Sequence, residues 1–254
     1  MPLRPAALAT SFALLAAMSG RASAEYRVVP QGQAMLVHAA FRDFQGERIG
    51  VDFAVARRDV EESAGAFGPR RADVAALLAA CNAEPRCDRA TLAARLDRYY
   101  LQRGWATRLD PIGVPHRYVA IDRLVRRDAP RLRSAAAAFA RLAAAQGASP
   151  ERQQDLLLAF VQSALAYRSE PVAADSHGFS PPAQALGQGW GDCDTKAALL
   201  AALLLELGAP RMVGVHVPGH YLLGIARHAR KGDAQIRFGG ENFVLVEPAG
   251  PAML

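Results

Sequence analysis

The residues with the clearest chemical potential are a cysteine, a histidine and a glutamate in the C-terminal half of the chain. Cys193 stands in a glycine-containing turn, residues 189–194, directly before a leucine-rich segment with helical spacing. A thiol on the first turn of a helix faces unpaired backbone N–H groups and the positive end of the helix dipole. Both favour the thiolate, so we expect a lowered pKa for Cys193. The same N–H groups could hold a developing oxyanion.

A base and an acid follow the cysteine on segments with the alternation of β-strands. His220 opens the second strand of a pair that Pro218-Gly219 interrupts, and Glu247 ends a later strand. A helix-borne cysteine, a strand-borne histidine and a later carboxylate fit a Cys-His-acid triad. Glu241 shares the strand face of Glu247 but lies about 20 Å away along the strand, so only one of them can orient the histidine.

Three sequence blocks carry these residues: GDCDTKAALLAALLLELG, PGHYLLGI and ENFVLVEPAG. They resemble the catalytic blocks of transglutaminase-like cysteine peptidases, in particular the bacterial members. The resemblance extends upstream to FVQSALAY and so covers residues 150–254. It implies a papain-like core, with a cysteine helix packed on an antiparallel sheet that carries the base and the acid. Much of the family has aspartate where this chain has Glu247, a carboxylate one methylene longer.

Polar residues near the cysteine have further predicted roles. Asp192 and Asp194 are expected to cap the helix, and their charge would raise the pKa of the thiol. The candidates for an extra oxyanion donor, or for lining the cleft, are Gln162, Gln188 and Trp190.

The sequence predicts neither a metal nor a cofactor. His216 and His220 form an HxxxH pattern, but that zinc motif relies on a helix, which the intervening Pro-Gly forbids. No glycine-rich phosphate motif is present. The formal net charge of +6 arises from scattered arginines without interleaved aromatics, which indicates surface composition and not a nucleic-acid site.

The N-terminus has the pattern of a secretory signal. Arg4 precedes an apolar run that ends at Met18, shorter than the ~20 residues that span a bilayer. Ala22-Ser23-Ala24 fits a cleavage site after Ala24. We therefore predict a signal peptide over residues 1–24 and a periplasmic or secreted protein with no membrane span, whose protein or peptide substrates lie in the cell envelope.

The three cysteines are consistent with that compartment. Cys81 and Cys87 flank a turn-prone loop and are expected to form a disulfide, which leaves Cys193 unpaired. Catalysis would explain an odd thiol in an exported protein. A zinc site at this pair is disfavoured, because five residues separate the two cysteines and no histidine is near.

The order of predicted elements favours an α+β fold. A β-hairpin is predicted over residues 33–57, with its turn at 43–46, and strands return after the cysteine helix. The predicted helices before the cysteine are 71–80, 89–103, 122–146 and 150–167. Residues 168–188 are predicted to be irregular, because they contain several prolines and glycines. The predicted divisions are a signal peptide (1–24), a β-hairpin with a helical region (25–148) and a catalytic core (149–254).

These features together predict an exported cysteine acyl-transfer enzyme that forms a Cys193 thioester. Water would release the acyl group in a peptidase or amidase, and an amine would release it in a transglutaminase. Hydrolysis is the outcome expected of bacterial relatives and is favoured here. The alternative is a non-catalytic binding or scaffold module that has retained the fold, in which the thiol would be inert.

Overall fold

The computed structural model describes residues 24–169 and 178–250, so all but the last residue of the predicted signal peptide lies outside it. The helices are α1 (Arg57–Gly65), α2 (Arg71–Ala83), α3 (Arg89–Gln102), α4 (Ile121–Asp128), α5 (Arg133–Ala145), α6 (Pro150–Ser163), α7 (Pro182–Gln188) and α8 (Cys193–Glu206). The strands are β1 (Glu25–Gln31), β2 (Ala34–Arg42), β3 (Arg48–Ala56), β4 (Trp105–Leu109), β5 (Pro115–Val119), β6 (Ala166–Tyr167), β7 (Trp190–Gly191), β8 (Met212–Val217), β9 (His220–Ile225), β10 (Gln235–Phe238) and β11 (Glu241–Val246).

The architecture is mixed α+β, as predicted, with antiparallel sheets. One sheet has the strand order β1-β2-β3 and the other has the order β10-β11-β9-β8. A separate hairpin joins β4 to β5, and the two-residue strands β6 and β7 pair in parallel. Among residues 24–169 and 178–250, no helix has the length and hydropathy needed to cross a bilayer.

The first sheet buries one face against α5 and α6. Apolar side chains alternate along β2 and β3, so that Phe41 and Phe53 point to the same side. They meet Phe139 of α5 and Phe160 of α6, whose ring centroids are 4.9 Å apart. These aromatic contacts join the N-terminal sheet to α5 and α6, which lie on either side of residue 148. One hydrophobic cluster therefore spans the predicted boundary between the N-terminal region and the catalytic core.

Helix α8 lies at the centre of the molecule. Every residue from Thr195 to Leu204 is buried, on all sides of the helix. A helix that is apolar all round must be surrounded by other elements, and α4, α5, α6, α7 and β9 pack against it. Cys193 is the first residue of this helix, so its backbone is held by the core of the protein.

The structure confirms the N-terminal hairpin and its turn, where Gly46 N–H donates to Asp43 O at 3.0 Å. The single helix predicted over residues 122–146 is wrong. The chain forms α4, a 3₁₀ turn at Ala129–Leu132, and α5. Pro130 lacks the N–H that an uninterrupted α-helix would use, and its ring clashes with the preceding turn.

Two expectations about the approach to the cysteine also need correction. The helix predicted to reach residue 167 ends at Ser163, because the chain turns into β6 to pair with β7. The stretch 168–188 is not wholly irregular, since α7 occupies its end. Pro182 stands in the first turn of α7, where proline is favoured. Gly189 caps the C-terminus of α7 in the left-handed conformation, with φ 76°, which glycine adopts readily.

A disulfide joins Cys81 at the end of α2 to Cys87, and Cys193 is free. We expect non-reducing peptide mapping of the purified protein to recover Cys81 and Cys87 in one linked fragment. Alkylation before reduction should then label Cys193 alone. A bridge between Cys193 and either of the others would contradict this assignment.

Candidate active site

Cys193 is positioned by a tight turn from α7 through β7 into α8. Gly189 has a positive φ of 76°, and a Cβ there would lie 2.5 Å from a ring carbon of Tyr26. A Cβ on Gly191 would lie 2.3 Å from Cγ2 of Thr195. The two glycines are therefore required by close packing around the turn, and the packing fixes where the thiol-bearing residue begins the helix.

Two carboxylates cap the first turn of α8. Asp192 is the N-cap residue, and its Oδ1 accepts from the N–H of Thr195 at 3.2 Å. Asp194 Oδ1 accepts from the same N–H at 2.9 Å. The capping role predicted for these aspartates is thus visible in the structure. It places two acidic groups on either side of the cysteine.

His220 and Glu247 are brought together by the register of the second sheet. The ladder between β11 and β9 stops at the pair Val246–Leu223. One residue further on, Glu247 stands diagonally across from His220 on the same face. Their side chains are hydrogen-bonded through His220 Nε2 and Glu247 Oε2.

The Glu247 carboxylate is held from a second side as well. Its residue is only 4 % exposed, and its other oxygen accepts from the N–H of Ala249 at 2.7 Å. A carboxylate that accepts from Nε2–H selects the tautomer in which Nδ1 carries the lone pair. His220 is therefore set up to take a proton at Nδ1.

The thiol of Cys193 lies against the start of β9, close to the backbone of Tyr221. Because the β11 ladder ends at Leu223, the backbone of Tyr221 lies outside it, and its N–H donates to the Cys193 sulfur. The N–H of Asp194 also faces the sulfur. The structure thus places the sulfur beside the residue that follows His220.

The expected lowering of the thiol pKa is wrong. Burial raises the pKa of Cys193, and the charges of Asp194 and Asp192 raise it further. The backbone N–H groups of Tyr221 and Asp194 lower it, but they do not outweigh burial. The resting form is the neutral thiol, so attack on a substrate requires a base to remove the proton.

The two aspartates form a hydrogen-bonded carboxyl pair. Burial, and the hydrogen bond and charge of Asp192, raise the pKa of Asp194 to about 8. Two carboxylates this close cannot both ionise easily, so Asp194 keeps its proton at neutral pH.

A cleft opens beside this helix start. This cleft has a volume of about 690 Å³ and runs between the β4–β5 hairpin and the β8–β9 hairpin. Asp122 and Asp194 also line it. Its lining side chains from the two hairpins are Arg108, His116, Tyr118, His216 and Tyr221. The register places Arg108, His116 and Tyr118 on one face of their hairpin, and His216 and Tyr221 on one face of the other. The opposite face of the β4–β5 hairpin is anchored through Arg117 to α3.

The three oxyanion or cleft candidates have different surroundings. The side-chain amide of Gln162 donates to the backbone oxygen of Glu247 at 2.5 Å, so it supports the acid. Gln188 donates to Ser180 Oγ at 2.8 Å and to Trp190 O at 3.0 Å, which commits its amide nitrogen to the protein interior. Trp190 is partly exposed beneath the Arg168 guanidinium, 5.4 Å from its ring, and is not among the residues that line this cleft.

The competing acid lies elsewhere. Glu241, at the other end of β11, pairs with Arg211 at 2.5 Å.

His216 faces the ring of Tyr221 across the hairpin, with ring centroids 6.4 Å apart. Within residues 24–169 and 178–250, no group of three or more His, Cys, Asp or Glu side chains is arranged to hold a metal ion.

Sequence reasoning missed three residues that belong to this region. Lys196 is fully buried one helical turn after Cys193. Tyr221 supplies an N–H to the sulfur. Partial burial and then the charge of Cys193 raise the pKa of Tyr167, a residue that is 58 % exposed. Only Lys196 carried a signal, as a lysine in an otherwise apolar helix.

The arrangement predicts how one acidic side chain affects the thiol. Because the Asp194 charge raises the pKa of Cys193, Asp194→Asn should move the midpoint of iodoacetamide labelling to lower pH, by roughly half a unit or more. The rate of labelling, measured by intact mass from pH 6 to 10, tests this. Asp122→Asn is the control, since Asp122 lines the same cleft but is paired with Arg126. An unchanged or raised midpoint in Asp194→Asn would contradict the electrostatic account.

The region holds a free thiol at a helix start, a histidine hydrogen-bonded to a buried carboxylate, and a neighbouring cleft with room for a ligand. Comparisons with family models, with curated proteins and with solved structures returned no significant match. The function therefore has to be argued from the chemistry of these residues.

Proposed function

We propose that this protein is an exported cysteine acyl-transfer enzyme that hydrolyses amide bonds of proteins or peptides, like the transglutaminase-like cysteine peptidases that its sequence resembles. The observation that most directly supports this is the contact between His220 and the buried Glu247 beside the helix-borne Cys193. A thiol, an imidazole and an orienting carboxylate are the groups that nucleophilic cysteine catalysis uses.

The first step is attack by Cys193. Its Sγ forms a bond to the amide carbonyl carbon while the thiol proton passes to His220 Nδ1. The raised pKa of the thiol makes this transfer essential, because little thiolate is present beforehand. The resulting imidazolium keeps its Nε2–H on the Glu247 carboxylate, whose negative charge stabilises it.

The tetrahedral intermediate then collapses to a thioester. His220 returns its proton to the leaving nitrogen, so that the C–N bond breaks and the amine departs neutral. Backbone N–H groups at the first turn of α8 lack helical partners and are the natural donors to the oxyanion. In this proposal the side chain of Gln162 holds the backbone of Glu247, and backbone N–H groups alone stabilise the oxyanion.

Water completes the cycle in this proposal. His220 removes a proton from water, the oxygen attacks the thioester, and the thiol leaves with the proton. The exposure of Tyr167, next to the sulfur, supports solvent access to the acyl-enzyme. Release of the acyl group by an amine is the competing outcome, which product analysis with an added primary amine would detect.

The substrate is proposed to be a peptide segment of a cell-envelope protein. The cleft between the β4–β5 and β8–β9 hairpins has a volume within the ~300–1,000 Å³ range of ligand sites. Its tyrosines and histidines offer both apolar surface and hydrogen-bonding groups for a peptide. The Cys81–Cys87 disulfide supports export, because such bonds persist in oxidising compartments.

The rival proposal is a binding or scaffold module in which the same residues are only structural. It predicts an inert thiol and no cleavage. It offers no role for a carboxylate buried against a histidine, since such a pair is costly to bury and gives little net stability.

Cys193→Ala should abolish hydrolysis of a mixed peptide library, to below about one-thousandth of the wild-type rate, because no other thiol is available. The fold should be retained, as shown by an unchanged circular dichroism spectrum. Mass spectrometry of the library identifies the cleaved bonds. Cleavage by the alanine variant at the wild-type rate would end the proposal, and an inactive wild type with an unreactive thiol would favour the scaffold.

Glu247→Gln should lower kcat by about 10³-fold or more, because an amide oxygen or nitrogen no longer selects the productive imidazole tautomer. Glu241→Gln is the matched control from the same strand. The Glu241 carboxylate forms an ion pair with Arg211, so we expect Glu241→Gln to change kcat by less than threefold. The reverse ranking of the two variants would mean that the third catalytic member is misassigned.

A further inference from the structure

Lys196 is a buried ammonium in the middle of the apolar helix α8. Its residue has no exposed surface. Its Nζ donates to the backbone oxygens of Gln162 and Leu165, both at 3.1 Å, and of Ala249 at 2.8 Å. Three acceptors match the three N–H bonds of an ammonium group, so the hydrogen-bonding capacity of the lysine is fully used.

The three acceptors come from two segments that are far apart in the sequence. Gln162 and Leu165 lie at the end of α6, where carbonyl groups lack helical partners and carry the negative end of the dipole. Ala249 follows β11 and lies two residues beyond Glu247. The ammonium therefore joins α8, α6 and the segment that carries the proposed acid.

The same segment is what holds the Glu247 side chain. The N–H of Ala249 donates to the Glu247 carboxylate, while its carbonyl accepts from Lys196. Gln162 donates from its side chain to the Glu247 backbone oxygen, and its own backbone oxygen accepts from Lys196. Both of these hydrogen bonds to Glu247 thus come from residues that Lys196 also binds.

Lys196 and Glu247 also interact through charge. Burial lowers the pKa of Lys196 to about 8, and the Glu247 carboxylate acts in the opposite direction. A buried carboxylate without a nearby cation is costly, so this interaction stabilises the ionised form of both groups. Of the described residues, Lys196 of α8 is the charged group that interacts with Glu247, His220 is its hydrogen-bond partner, and α6 contributes the neutral amide of Gln162.

We propose that Lys196 is a positioning residue that holds the Glu247 carboxylate against Nε2 of His220 and places a positive charge near it, and so tunes the proposed catalytic base. The inference rests on the proposed function. Lys196 does not touch the substrate; it acts through Glu247. Because it lies one turn after Cys193 on the same helix, it also fixes the acid relative to the nucleophile.

The test separates the charge of Lys196 from its hydrogen bonds. Lys196→Gln removes the charge and retains amide donors, Lys196→Met removes both, and Lys196→Arg retains the charge. The two neutral variants should lose at least tenfold in kcat with little change in KM, and the acid limb of their kcat profile should move to lower pH, because a less firmly supported His220 gives up its proton more readily. Lys196→Arg should keep the acid limb of the wild type.

Arg227→Gln provides a matched control for losing a buried cation. The Arg227 side chain is 8 % exposed, and it pairs with Asp155 at 2.9 Å. Its loss should lower stability without moving the pH profile. If the neutral Lys196 variants lose activity only in proportion to their unfolded fraction, with an unmoved acid limb, the lysine is merely structural and the proposal is wrong. Failure of both neutral variants to fold would overturn it in the same way.

A second readout does not depend on turnover. NMR titration of the imidazole of His220, in the Cys193→Ala background, follows its protonation directly. Lys196→Gln should lower the midpoint of that titration, because a Glu247 that binds a proton more readily stabilises the imidazolium less. An unchanged midpoint overturns the role of Lys196 whether or not the wild type is active. A shifted His220 midpoint together with a wild type that is inactive and has an unreactive thiol would contradict the proposed function and leave the role of Lys196 standing.

Discussion

The burial of α8 on every side is the constraint on which the rest of the structure depends. Its apolar residues leave no solvent-facing surface over ten consecutive positions, Thr195 to Leu204, so that helices and sheet must close around it. A helix fixed in this way cannot rotate or slide without opening cavities in a densely packed core. The backbone of Cys193, the first residue of α8, is therefore held in one position, and the neighbouring strands position His220 and Glu247.

Electrostatics at the site follow from that same burial. Removing water raises the pKa of Cys193 and of Asp194, and it makes the Glu247 carboxylate dependent on its partners. The helix N-terminus favours negative charge, but its effect is confined to the first turn and is opposed by two adjacent aspartates. The site is thus built to hold a neutral thiol next to an oriented base, and it does not hold a preformed thiolate.

Much of the site could be predicted from local patterns, and the parts that failed depend on non-local contacts. The turn before Cys193 and the strand ends at His220 and Glu247 are visible in glycine, proline and alternation signals, and the structure places them together. The β4–β5 hairpin was missed although Asp110 and Gly113 mark its turn. The direction of the thiol pKa could not be obtained, because burial of Cys193 arises from packing against β9. The burial of Lys196 likewise depends on Ala249, which lies 53 residues further along the chain.

The anchoring of β1 has a consequence for the order of assembly. Tyr26, near the start of that strand, is half-buried, and its hydroxyl donates to the carbonyl of Leu186, 160 residues later, just before the turn that carries Cys193. Glu247 comes from the opposite end of the chain. Contacts of such long sequence separation form late, since each closes a large loop. A chain that has not yet incorporated Glu247 therefore cannot hold the assembled site, whatever the state of the turn that carries Cys193.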